Sequence, residues 1–119
     1  RVFRIDAPAF PQAYLEIIAV DPAAPAPARP RWFGLDDADL QAALVRDGPR
    51  LIHWVARCDD LAAARAAFGA DDPGTPLEAE RDTPAGRLRW AITVRPDGRR
   101  LCGGALPTLI AWKSAHPVD

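Results

Sequence analysis

The stretch Leu51-Ile52-His53-Trp54-Val55-Ala56-Arg57-Cys58, followed by Asp59-Asp60-Leu61, decides the fold. Its first eight residues are mostly apolar and predict a strand. Asp59-Asp60 then caps a helix predicted over Leu61 to Phe68 and stopped by Gly69. Leu61, Ala64 and Phe68 recur at i, i+3 and i+7 and form its buried face. Downstream, Leu77 to Arg81 and Leu88 to Val94 predict a hairpin across Thr83-Pro84-Ala85-Gly86. In its second strand Leu88, Trp90, Ile92 and Val94 face one way, and Arg87, Arg89, Ala91 and Thr93 the other. After the Pro96-Asp97-Gly98 turn, Leu106 to Lys113 is the last strand. The order from Leu51 onward is therefore β-α-β-β-β.

Upstream of that unit the chain changes character. Val2 to Ile5 predicts a short strand ended at Asp6-Ala7-Pro8, and Tyr14 to Val20 predicts a second, stopped by Asp21-Pro22. Pro22 to Pro30 contains four prolines alternating with Ala and Arg. Proline fixes φ and lacks an N–H, so this piece is an extended spacer. Leu35 to Gly48 predicts a short helix with Asp36 as N-cap, a Leu35–Leu40 hydrophobic staple, and Gly48-Pro49 as its stop. Two strands with no helix ahead of them predict the end of an earlier β-α-β-β-β unit. The expected fold class is α+β, with a curved, mostly antiparallel sheet from paired βαβββ modules. The first module lacks its opening β-α-β in this stretch. One domain covers residues 1–119: the end of the first module at 1–21, the Pro-rich spacer and short helix at 22–49, and the second module at 50–119.

Composition narrows the function classes. The 119 residues are enough for one domain. Hydrophobic residues at 49% and charged residues at 26% are ordinary globular values, which argues against disorder. The 15 basic and 16 acidic residues nearly cancel, which disfavours a non-specific nucleic-acid binder. No apolar run approaches the roughly 20 residues that span a bilayer. Lys113 is the only lysine, and Arg-for-Lys usage with Ala richness suggests a bacterial source. Met is absent and the chain opens at Arg1 inside an apparent strand, which predicts that a further N-terminal segment precedes it. Cys58 and Cys102 form neither a disulfide framework nor a CxxC pair. No signal-peptide pattern is present, and cytoplasmic is the default location.

A few polar residues interrupt apolar strands. Glu16 and His53 stand at the centres of predicted strands, where they are either surface and core residues, half of a metal site, or a general-base pair. Arg87 and Arg89 lie on the face opposite Trp90 and can hold carboxylates or phosphates, or simply face water. Trp54, Trp90 and Trp112 suit a core or the wall of a cup. The chain has no GxGxxG, no P-loop and no Ser elbow. Cys58, followed by Asp59-Asp60, is in an acidic setting that disfavours a reactive thiolate.

Several runs together resemble the bacterial glyoxalase-like domain proteins. They are Tyr14 to Pro22, the Pro-rich spacer, Arg31-Trp32-Phe33-Gly34-Leu35, Arg50 to Val55, Leu88-Arg89-Trp90, Gly103 to Trp112, and His116-Pro117. That family is similar to the vicinal oxygen chelate superfamily, in which paired βαβββ modules build a cup. The resemblance implies Glu16 and His53 as catalytic residues and as ligands of a divalent metal (Zn, Fe, Mn or Ni), which would act as a Lewis acid on a small oxygenated substrate. It implies Arg89, Trp90 and Trp112 as substrate-binding residues. One departure stands out: the last strand places Ala111 at an expected ligand position, and alanine cannot ligate. Two functions follow as expectations: a metal-dependent lyase, isomerase or dioxygenase-like enzyme, or a metal-free protein that sequesters a small molecule. A structural or assembly role is the third. The partner expected is a small-molecule ligand, with no nucleic acid and no membrane, in a homodimer.

Overall fold

A computed structural model describes residues 1–119. Val2–Arg4 (β1) and Tyr14–Glu16 (β2) pair antiparallel in a two-stranded sheet. The spacer follows, fully exposed from Asp21 to Pro30 and without helix or strand. A 3-10 turn at Trp32–Gly34 leads into helix α1, Ala38–Asp47. Val55–Arg57 (β3), helix α2 (Leu61–Ala66), Thr75–Thr83 (β4), Gly86–Val94 (β5) and Thr108–Trp112 (β6) complete the chain. Their sheet has the order β3-β6-β5-β4. β3 runs parallel to β6, and the other two pairings are antiparallel. The fold is thus α+β, with few helices and two mostly antiparallel sheets, neither of them closed.

The register fixes which side chains share a face. Trp90 pairs with Trp112 and Ile92 with Ile110, while Arg57 stands opposite Ile110. Alternation puts Leu88, Trp90, Ile92, Ile110, Trp112, Val55 and Arg57 on one face. Ala91, Thr93 and Leu109 lie on the other. Both faces are covered at the centre, since Ile92 and Ile110 are buried on one and Ala91, Thr93 and Leu109 on the other. Thr93 is the most deeply buried, and its hydroxyl accepts the Leu109 N–H at 3.0 Å where β5 and β6 separate. The β1–β2 hairpin approaches the tryptophan face. The Tyr14 ring meets His116 edge-on at 5.5 Å, and Glu16 reaches Arg81 of β4 at 3.7 Å.

Several expected boundaries shift, each for a local reason. The strand from Tyr14 ends at Glu16 instead of Val20. Ile17 still exchanges backbone hydrogen bonds with Arg1, but Ile18 to Val20 have no partner strand. The strand expected from Leu51 begins only at Val55. Ahead of it the Ile52 carbonyl accepts from Arg100, and His53 bonds Thr108, so side chains replace a ladder. The cap of α1 is Asp37, not Asp36. Asp36 is drawn back to the Arg31 N–H and guanidinium, both at 2.7 Å, which leaves Asp37 to accept from Asp39 and Leu40. That shift also removes the Leu35–Leu40 staple spacing. The last strand is shorter than expected, Thr108–Trp112. Asp60 caps α2 as expected, accepting from Ala62 and Ala63.

Candidate functional site

The residues expected to bind a metal sit in different surroundings. Glu16 ends β2, is exposed, and forms an ion pair with Arg81. His53 lies ahead of β3 and is half-buried beneath the Phe33 ring, 5.1 Å away. Its Nε2 is 2.8 Å from the Thr108 hydroxyl and 3.2 Å from the Thr108 N–H, so this nitrogen is the acceptor for the amide. Burial, reinforced by the Arg100 charge, lowers the His53 pKa and holds the ring neutral. Its Nδ1 is buried without a protein partner. The adjoining cavity, edged by Arg95, Arg99 and Arg100, is only about 20 Å³, room for a single water.

No group of three His, Cys, Asp or Glu side chains comes together to hold a metal ion. The Glu16 carboxylate faces a guanidinium and the His53 Nε2 is committed to Thr108. Ala111 contributes nothing at the third position. The donor set in this chain therefore does not fit a divalent metal.

The expected substrate-binding trio is divided in the same way. Trp90 and Trp112 pack at a tilt of 48°, 5.5 Å between ring centroids, on the hairpin-covered face. Arg89 lies on the opposite face, exposed, with its guanidinium 3.6 Å from Glu80. Arg87 neighbours it and grips Asp82 and Glu80. This is a solvated row of charges on the hairpin.

The larger cavity lies beside Trp112. It measures about 330 Å³, within the usual range for small-molecule sites, and Gln12, Arg57, Trp112, Ser114, His116 and Asp119 line it with Cys58 and Asp59. Three separate parts of the chain meet here. Gln12, held at a positive φ of 69°, accepts a hydrogen bond from Arg57 through its side-chain carbonyl and donates to Asp119 through its amide. Asp119 also accepts the His116 N–H at 2.7 Å. A non-glycine residue is uncommon in the left-handed region, and Gln12 adopts it in the turn between β1 and β2.

His116 is the most informative residue of the group. It is only 9% exposed, packed edge-on against Tyr14 and, at 5.3 Å, against Trp112. Its Nδ1 is buried and has no hydrogen-bond partner. Burial lowers its pKa, Asp119 opposes that shift, and Arg57 adds to it. The ring therefore stands in the cavity wall as an imidazole whose Nδ1 is turned into the protein, away from solvent, where an unmet polar atom is costly. Burial, with Asp59 and Asp60 nearby, raises the Cys58 pKa, so the thiol stays protonated.

Sequence reasoning assigned none of Arg57, Gln12 and His116 to a site, although His116-Pro117 is one of the runs that carry the family resemblance. Arg57 alternates with Val55 and so shares the Trp112 face, a signal that was available. The position of Gln12 depends on a turn that no spacing announces.

No curated protein and no solved structure matches the chain. The model of the glyoxalase-like domain family does match, over residues 7–119, which takes in β2, both helices, the whole four-stranded sheet and every residue of the larger cavity. The chain belongs to the glyoxalase-like domain family, and with it to the vicinal oxygen chelate superfamily.

Proposed function

We propose that this domain binds a small organic molecule without a metal, in the cavity between Arg57, Trp112 and His116. The observation that supports this most is the cavity of about 330 Å³ itself, where the Trp112 ring stands beside the Arg57 guanidinium. Trp112 offers an apolar wall backed by Trp90, and the Arg57 guanidinium offers a fork of N–H donors. The cavity is open to solvent, which suits capture and release. A metal-dependent lyase, isomerase or dioxygenase reaction would need a ligand set that Glu16, His53 and Ala111 do not make.

The domain works as a homodimer in this reading. It exposes 8199 Å² of surface, against about 6,300 Å² for a closed monomer of its mass. The excess, about 1,900 Å² per chain, is more than a standard interface takes from each partner and falls in the range of large homodimer interfaces.

The test is a fragment screen followed by protein NMR in buffer containing a chelator. Expected hits shift the resonances of Trp112, Ser114 and His116. Hits that bind only after a divalent metal is added, or that shift only residues around His53 and Thr108, would overturn the proposal.

A further inference from the structure

We infer that the ligand is a small zwitterion: an amino-acid-like molecule with a carboxylate, an ammonium group and an apolar or aromatic side chain. This rests on the small-molecule reading above and specifies its chemistry. Most charged side chains on the sheet are paired, as in Arg87 with Asp82 and Lys113 with Glu78. Two residues at the cavity are not, Arg57 at the end of β3 and Asp59 just beyond it. Arg57 forms no ion pair, and its one side-chain hydrogen bond goes to the neutral Gln12 carbonyl. Asp59, two residues on, makes no ion pair and no side-chain hydrogen bond. They do not pair with each other, although both line the same cavity.

Asp119, the second carboxylate there, already accepts N–H donors on both of its oxygens, from Gln12 and His116. That leaves one cation and one anion open toward the ligand. A ligand bearing only a carboxylate would gain Arg57 and meet Asp59. A ligand bearing only an ammonium would gain Asp59 and meet Arg57. A zwitterion satisfies both, with its carboxylate on the guanidinium fork and its ammonium on Asp59. Its side chain then has the Trp112 ring to pack on.

The experiment is isothermal titration of the chain with four probes: L-phenylalanine, N-acetyl-L-phenylalanine, L-phenylalaninamide and benzyl alcohol. L-phenylalanine should bind about tenfold more tightly than either singly charged derivative, the size of one lost charge-assisted hydrogen bond. Arg57→Gln should erase its advantage over the amide, and Asp59→Asn its advantage over the N-acetyl form. Equal affinity for all three phenylalanine compounds would overturn the zwitterion. If benzyl alcohol binds at Trp112 as well as L-phenylalanine does, the zwitterion fails while small-molecule binding stands. If none of the four binds and the fragment screen is also empty, both fail. The four-probe comparison on the unaltered chain decides the matter even where a variant does not fold.

Discussion

The two imidazoles, His53 and His116, are both kept neutral by burial, and this sets how the domain responds to acid. Their folded pKa values lie below the ordinary imidazole value of about 6.5. Protonation therefore favours the unfolded chain: stability is full above about pH 6.5 and falls as pH drops through the unfolded value toward the folded ones. Asp36, Asp72 and Asp97 have lowered pKa values because of the N–H donors around them, so they lose their charges in a lower pH window. Thermal unfolding between pH 7.5 and 5 should show a falling midpoint, and His53→Gln with His116→Gln should flatten that slope. A midpoint independent of pH in this range would contradict the assignment. Thr108→Val should cost about 1 kcal/mol in urea unfolding, because it removes the hydroxyl contact to His53 Nε2 and leaves that nitrogen only the residue-108 backbone N–H. At this scale the sequence was partly legible. His53 and Glu16 stand out as polar residues in apolar runs, but a run does not say what faces it. Arg81 and Thr108, the partners that occupy them, come from strands far along the chain.

The elements owe their limits to single polar contacts. Asp60 and Asp37 each satisfy two free N–H groups at a helix start. Replacing either by alanine should cost about 1 kcal/mol, read by urea unfolding. The six-residue α2 has little else to hold its first turn. Gly74 ends the link from α2 into β4 at φ 101°, and a Cβ there would overlap the Val94 carbonyl. Gly74→Ala should therefore cost more than either cap, about 2 kcal/mol, measured in the same unfolding series. The β4–β5 hairpin, the α2 cap and the β-α-β-β-β order could be read from periodicity and punctuation, because these are local signals. The short reach of β2 and β3 could not. Strand ends depend on whether a partner continues, and Arg100 and Thr108 take the place of one beside Ile52 and His53.

Over the whole molecule the core is small for the chain. Only 12 of 119 residues are buried, and the radius of gyration is 14.9 Å against about 13.5 Å for a compact chain of this length. The apolar surface is concentrated at the β1–β2 hairpin and ahead of β3, where Leu51 is 82% and Trp54 50% exposed. A homodimer that covers Leu51 and Trp54 should appear as twice the monomer mass in light scattering, and Trp54→Glu should return it to one. A monomer at all concentrations would refute the pairing. The α+β class was legible because it follows from the order of elements. The cavity was not, because it forms only where Gln12, β3 and the C-terminal tail meet. The most direct measurement is a crystal structure of the chain grown with its tightest-binding fragment and a chelator. Density for the fragment against Trp112, within hydrogen-bond reach of Arg57, is the expected result. Density instead beside His53 and Thr108, or at Glu16, would contradict the assignment of the site.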